Sequence, residues 1–240
     1  MKENFKILRE KFNEIKNIGL IESMRYGTTG IGYTFETLLG KKEDSECFPD
    51  FCGIEIKTKL GYSKSPMTLF NCIPKRNNES AINYILNKYS WNLRKESIFV
   101  FSNEVYCTQT NEKYGYNFKL KLDYLGKRII MQSYKNNILQ EDVCYWDFND
   151  LNKKLNTKLK YLAIIYGYPY KIKNKLYYKY LKMNTYKLKG FFEFLKLVSE
   201  NKISIQFYLK RNTDNTIENH GVSFRIDNNS IEDLFFKLFY

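Results

Sequence analysis

The chain of 240 residues contains a single histidine, His220. That scarcity excludes an H-E-x-x-H zinc arrangement and any bis-histidine metal site. A Ser-His-Asp triad would have to use His220, and no G-x-S-x-G elbow accompanies it. The five cysteines, at 47, 52, 72, 107 and 144, form an odd set without a C-x-x-C pair, so neither a disulfide framework nor a zinc site is indicated and reduced thiols are expected. No run of about 18 apolar residues occurs, and the opening MKENFKILREKFNEIKNIG is too charged for the apolar region of a signal peptide. A cytoplasmic location with no membrane partner is the expectation. The glycines at 27, 30 and 32 make a G-x-x-G-x-G run, but no strand pattern precedes it and no G-K-[ST] follows, which argues against a nucleotide cradle.

Acidic residues are also in short supply: 26 against 39 lysines and arginines, a formal charge of +13. An excess of this kind suits a polyanion, because lysines that neutralise phosphates release condensed counterions. An A/T-rich gene would enrich lysine as well, so charge by itself decides nothing. What is abundant is apolar and aromatic material, 43% and 17% of the chain, enough to bury the core of one domain or of one domain in two lobes.

The pattern along the chain alternates helices and strands. Phe5, Leu8, Phe12 and Ile15 recur at helical spacing and predict an amphipathic helix ending near Gly19. The three glycines read as a flexible loop leading into YTFETLLG, a short helix that carries Glu36 and is closed by Gly40. From Gly53 to Lys59 the residues alternate, with Ile54, Ile56 and Thr58 on one face and Glu55, Lys57 and Lys59 on the other, as in a half-buried strand. Met67 to Ile73 reads as a second strand, joined to the first as a hairpin through GYSKSP. A helix is expected over 79–91, then a buried strand over 97–102, several antiparallel strands over 104–147, a helix starting near 147–150 and a strand over 161–166. The segment KIKNKLYYKYLKMNTYKLKG interleaves lysine with tyrosine. Such residues contact phosphates or stack on bases, and a strand pair with a solvated basic face fits them equally well. A helix over 187–199, strands over 203–209 and 222–226, and a closing helix or strand over 231–240 complete the pattern.

The chemistry concentrates between residues 36 and 57. Hydrolysis of a phosphodiester needs an activated water and a cation to absorb charge on the phosphate oxygens, and carboxylates that hold Mg²⁺ provide for both. Asp50 and Glu55 are the candidate metal ligands, with the backbone carbonyl of Ile56 as a third. Lys57, one strand repeat from Glu55, is placed to position the attacking water and stabilise the transition state. Glu36 adds a metal or water contact from its helix. A surface strand with an ordinary Glu/Lys pair accounts for the same residues without chemistry. Near the C-terminus, Arg211 and Arg225 flank the polar stretch TDNTIENHG. A guanidinium matches guanine O6 and N7 bidentately. His220, Lys210, Asn212 and Asp214 are further candidates for base edges, Asp214 as an acceptor from a cytosine amino group, and Lys59 for DNA contact. An exposed hairpin loop is the plainer account of that segment.

Three blocks, GTTGIGYTFETLLG, PDFCGIEIKTK and S-P-M-T-L-F, resemble the opening half of the MvaI/BcnI family of restriction endonucleases, relatives of the mismatch-repair nicking enzyme MutH. KRNTDNTIENHGVSFRI resembles the family's histidine-glycine segment, which ends in Phe-Arg. The resemblance does not extend over 104–185. It implies an α/β (α+β) fold of the PD-(D/E)XK restriction-endonuclease type, a mixed central sheet flanked by helices, with two lobes forming a DNA cleft. The whole chain, 1–240, would be one MutH-like domain with a catalytic lobe centred on 27–105 and a recognition lobe centred on 186–240. The family's active-site residues fall here on Glu36, Asp50, Glu55 and Lys57, and its base-reading region on the segment with Arg211, His220 and Arg225. The implied activity is that of a type II restriction endonuclease acting on double-stranded DNA with Mg²⁺, Mn²⁺ being able to substitute. The implied enzyme is a monomer that nicks one strand at a time at a short, nearly palindromic site. A companion DNA methyltransferase is expected as a functional partner rather than a bound subunit. A MutH-like repair nickase and a non-catalytic basic DNA-binding protein are the alternatives.

Overall fold

The computed structural model describes residues 1–27, 29–40, 49–93, 98–108, 112 and 115–239, without the side chains of Leu93, Asn219 and His220. It divides into two compact units. The first comprises Met1–Ser65, Lys154–Lys189 and Phe235–Tyr240, and the second Pro66–Lys153 and Gly190–Leu234.

In the first unit, α1 (Lys2–Ile18) buries Phe5, Leu8, Phe12 and Ile15, the stripe expected from the sequence. Each such side chain contributes on the order of 2 kcal/mol on leaving water. After a two-residue strand, β1 (Ile21–Glu22), comes α2 (Gly30–Leu38), and then β2 (Glu55–Leu60). The long β9 (Tyr161–Ile172) and β10 (Lys175–Leu188) and the short β13 (Phe235–Leu238) complete the sheet, in the order β1-β10-β9-β2 with β13 also paired to β10. β2 runs parallel to β9, while the other pairings are antiparallel. One face of this sheet, with Ile54, Ile56, Ala163, Ile165, Tyr178 and Tyr180, packs with the buried stripe of α1 and with Ile31 and Phe35 of α2.

Two expectations change here. Gly30 and Gly32 lie inside α2 rather than in a loop before it. They are there for close packing: a Cβ on Gly30 would sit 2.5 Å from the Arg25 carbonyl oxygen and 2.9 Å from the Tyr178 hydroxyl, and one on Gly32 would sit 3.0 Å from Thr58 Oγ1. The expected hairpin between residues 53–59 and 67–73 does not form. β2 takes its partner from the fully apolar stretch Leu162–Ile165 of β9, all 0% exposed, while Met67, Leu69 and Phe70, themselves buried, belong to a strand of another sheet.

The second unit contains β3 (Met67–Asn71), α3 (Ala81–Tyr89), β4 (Trp91–Leu93), β5 (Ile98–Val105), β6 (Asn117–Asp123), β7 (Arg128–Lys135), β8 (Ile138–Asp147), α5 (Phe191–Ser199), β11 (Ile203–Arg211), β12 (Ile217–Ile226) and α6 (Ile231–Leu234). A helix, α4 (Phe148–Lys158), leads from this unit into the first. β3 pairs with β12 in an antiparallel sheet ordered β3-β12-β11-β5-β4, where Phe70 stacks on Phe224 with ring centroids 5.0 Å apart. The strands expected over 104–147 form the meander β6-β7-β8. α3 stops at Tyr89, short of Trp91, which belongs to β4. The TDNTIENHG stretch is mostly strand: Arg211 pairs with Ile217, so only Asn212–Thr216 form the turn.

Candidate active site

Asp50 reaches β2 through the tightest connection available. Phe51 and Ile54 exchange both backbone hydrogen bonds, at 3.0 and 2.8 Å, around Cys52 and Gly53. Both central residues have positive φ, 46° and 83°, the conformation of a two-residue turn in which glycine is favoured at the second place. This turn brings Asp50 back beside the start of β2, where its Oδ2 accepts the Ile56 N–H at 2.8 Å. β2 is the end strand of its sheet, so that N–H leaves the edge turned away from β9. The N–H and C=O of one strand residue leave by the same edge, and the Ile56 carbonyl is therefore on the Asp50 side as well.

Glu55 opens the strand and is 1% exposed. Its Oε1 lies 2.7 Å from the Lys57 ammonium and 3.6 Å from that of Lys158, and its Oε2 is buried with no hydrogen-bond partner. Burial pushes the carboxyl pKa up, the Lys57 charge pulls it down, the nearby Asp50 charge raises it, and Lys158 lowers it again. A buried carboxylate oxygen left unpaired costs on the order of 1–3 kcal/mol or more. Such an atom is complemented by a cation rather than by a further carboxylate.

Glu36 rides on α2, which packs on β2 through Gly32. Burial raises the Tyr180 hydroxyl, and the charges of Tyr178 and Glu36 add to the shift. Tyr180 also donates to the Ile31 carbonyl at 2.8 Å. Lys59 extends along β2 to the Ser65 carbonyl, 3.1 Å away.

The structure thus brings Asp50, Glu55 and Lys57 into one group and adds Lys158, which sequence reasoning did not single out. Lys158 ends α4, the helix that runs into β9, and the parallel pairing of β9 with β2 carries that end to Glu55. No local pattern announces a contact over so long a separation. Among the described residues no three His, Cys, Asp or Glu side chains gather as a closed metal cage. Two carboxylates and a carbonyl nonetheless suit Mg²⁺, which keeps several waters and takes its other oxygens from a phosphate. The orphaned Glu55 Oε2 and the all-oxygen donor set fit such an ion.

The candidate base readers lie in the second unit, on the β11–β12 hairpin. Lys210 pairs with Glu218 at 3.2 Å, and Asn212 donates to Glu218 at 2.8 Å and to Thr216 at 3.0 Å. Hydrogen bonds from Thr216 hold the Asp214 carboxyl below its ordinary value. Arg211 donates to Asn87 of α3 at 2.7 Å. Arg225 is further down the hairpin, opposite Ser204, with its side chain 16% exposed. It donates to Gln206 at 3.1 Å and to the Pro66 carbonyl at 2.9 Å, and its Nε is buried without a partner. The His220 side chain lies outside the described residues. Gln206, Glu218 and Asn87 are organising partners of this set that sequence reasoning missed. They carry no motif, and only strand register and the packing of α3 bring them in.

The model of the MvaI/BcnI restriction endonuclease family matches residues 9–235. The chain belongs to the MvaI/BcnI restriction endonuclease family. Two solved structures share the fold of this MvaI/BcnI-family chain, each 28% identical over 99% of this chain and 98% of its own. Restriction endonuclease MvaI in complex with cognate DNA substrate superposes with a TM-score of 0.90, and MvaI in the absence of DNA with 0.63. No curated protein sequence matches. Membership fixes the fold class as α+β, of the restriction-endonuclease kind, and the coarse function as that of a restriction endonuclease acting on DNA.

Proposed function

We propose that the chain is a type II, metal-dependent PD-(D/E)XK endonuclease that hydrolyses duplex DNA at a specific sequence, with Asp50, Glu55 and Lys57 as its catalytic set. The observation that carries this reading is Glu55: a carboxylate almost fully buried, with one oxygen on the Lys57 ammonium and the other unpartnered, beside Asp50 on the outer edge of β2. A surface strand with an incidental Glu/Lys pair has no reason to bury a charge in this way.

Asp50 and Glu55, with the Ile56 carbonyl, are the groups that would hold Mg²⁺, or Mn²⁺ in its place. When bound, such an ion supplies charge neutralisation at the phosphate and lowers the pKa of water. The remaining work falls to the chain's own groups. Lys57 Nζ, held on the Glu55 carboxylate, is positioned to donate to the attacking water and to a phosphate oxygen as negative charge builds there. The Ile56 N–H fixes the Asp50 carboxylate in place, so little reorganisation is needed on binding. Glu36, from α2, is assigned a supporting water contact. In the second unit Lys210, Arg211, Asn212, Asp214, His220 and Arg225 are assigned to the base edges, and Lys59 to the backbone.

One chain carries both the cutting and the reading sets, which supports action as a monomer that cuts one strand and rebinds for the other. A cytoplasmic enzyme of this kind requires a separate methyltransferase to protect host DNA. Incubation of the purified protein with unmethylated plasmids and Mg²⁺ should give nicked circles that convert to linear molecules with fixed ends. Asp50→Ala should lower that rate by at least a thousandfold, about 4 kcal/mol, with an unchanged circular dichroism spectrum. Absence of cleavage across several unmethylated DNAs with Mg²⁺ and with Mn²⁺ would sink the proposal. Normal cleavage by Asp50→Ala would leave the activity standing but remove this site from it.

A further inference from the structure

The lysine–tyrosine segment finds its place on the same sheet as the catalytic pair. Side chains alternate along β9, so Ala163 and Ile165 face the core under α1 and α2 while the even-numbered residues from Leu162 to Tyr170 face the other way. The register Glu55↔Leu162, Lys57↔Ile164, Lys59↔Tyr166 puts Glu55 and Lys57 on that second face. β10 adds Lys182 opposite Tyr166, Lys179 opposite Tyr168 and Tyr177 opposite Tyr170.

Lys179 and Lys182 are three residues apart and could not share a face in a regular strand. The register shift between Tyr180 and Lys182 makes it possible: it leaves Tyr180 in the core and returns Lys182 to the outer face. Lys182 Nζ then lies 5.7 Å from the centre of the Tyr166 ring. Tyr168 is fitted against Gly61, where an added Cβ would come within 2.2 Å of the ring. The face opens outward: Leu162 and Ile164 are fully buried, Tyr166 and Tyr168 half-buried, and Tyr170 43% exposed. At its far end Glu22 stands opposite Tyr177 and pairs with Lys175 at 2.9 Å.

From this arrangement we infer that the outer face of β9 and β10 is a track for the phosphate backbone of duplex DNA flanking the cut, which rests on the nuclease reading above. Continuity with Glu55 and Lys57, the lysines at 179 and 182 and the surplus of +13 point to a polyanion leaving the catalytic group in this direction. Duplex rather than single strand is the occupant, because the Lys182 ammonium lies over the Tyr166 ring and occupies a face on which a base would stack, while lysine ammoniums and tyrosine hydroxyls remain to meet phosphates. From the level of Lys57, opposite Ile164, to Tyr170 the strand runs six residues, about 20 Å at ~3.3 Å each, or about six base-pair rises of 3.4 Å.

The test is binding of the full chain, in Ca²⁺, to duplexes whose flank on one side of the cleavage site grows from two to twenty base pairs. Single strands of the same lengths are run beside it. Wild type should gain affinity up to about six flanking pairs and little beyond. Lys179→Gln combined with Lys182→Gln should lose that gain and reduce the slope of log K against log salt by about 1.8, from ~0.9 per phosphate contact. Lys6→Gln with Lys16→Gln removes equal charge from α1, on the other side of the sheet, and should keep the gain. Retention of the gain by the Lys179/Lys182 variant, its equal loss in the α1 control, or a loss confined to single-stranded DNA would each overturn the track. Plasmid cleavage that proceeds while the track fails would separate this inference from the nuclease reading, and wild type that binds no duplex at all would defeat both.

Discussion

Glu55 holds an unusual balance for a single side chain. Burial disfavours its charge, and two ammonium groups, Lys57 and Lys158, oppose that, while Asp50 works with burial. Lys57 was legible because strand alternation places residues i and i+2 on one face whatever the rest of the fold does. Lys158 was not, since its contact depends on where a distant helix ends. Lys158→Gln removes one of the two cations that favour ionised Glu55, so cleavage should slow by roughly tenfold, about 1.4 kcal/mol. The preferred sequence should be unchanged, because Lys158 belongs to the cutting unit. Plasmid cleavage rates and end-mapping check both parts, and a relaxed sequence preference would contradict the assignment. Arg225 teaches the converse. The Phe-Arg ending was visible in the sequence, yet the contacts to Gln206 and the Pro66 carbonyl depend on strand register and emerge only in the fold.

At the scale of elements, two features were misread or unread for one physical reason, the close approach of segments far apart in sequence. The glycines before Glu36 suggested flexibility, but Gly30 is there because α2 meets the Arg25 carbonyl and Tyr178 too closely for any side chain. Gly30→Ala should therefore destabilise the chain by about 2–3 kcal/mol despite alanine's better helix propensity, as overpacking does. Chemical denaturation measures this, and a stabilised variant would refute the packing account. In the second unit, α3 and β8 are joined at Glu141. Burial alone would raise this carboxyl, but hydrogen bonds from Lys88, Tyr84 and Tyr89 outweigh it and bring it from 4.5 down to about 2. The unfolded carboxyl takes its proton near 4.5 and the folded one only near 2. This contribution is therefore complete above the unfolded value and is lost as pH falls between the two. Glu141→Gln should cost about 2–3 kcal/mol at pH 7, with the gap to wild type closing toward pH 2. A gap that persists at pH 2 would assign the loss to packing instead.

Over the whole molecule, the residues proposed to cut and those proposed to read fall in different compact units, the first built around β2 and β9 and the second around β11 and β12. Removal of one function should then leave the other measurable. Asp50→Ala should still bind its cognate duplex with wild-type preference over a single-base variant. Arg211→Ala should lose about 1–3 kcal/mol of discrimination at one base position while retaining the cleavage step on the duplex it does bind. The effects should be additive in the double variant, since Asp50 accepts from the Ile56 N–H in the first unit and Arg211 donates to Asn87 in the second. Competition binding with duplexes changed one position at a time tests this, and loss of discrimination in Asp50→Ala would show that the roles are not separable.

The sequence by itself determined what depends on short windows of chain. It specified the buried stripe of α1, the alternation that pairs Glu55 with Lys57, and the short spacing that lets a two-residue turn return Asp50 to the same strand. These follow from backbone periodicity and turn conformation, which a handful of neighbouring residues dictate. Only the tertiary structure decided that β2 lies parallel to β9, that Lys158 meets Glu55, that Gln206 and Asn87 hold the arginines, and that a bulge places Lys179 and Lys182 on the catalytic face. Each of these depends on register between segments separated by many residues. Register is set by which apolar faces bury each other best, a competition over the whole chain that no single stretch records.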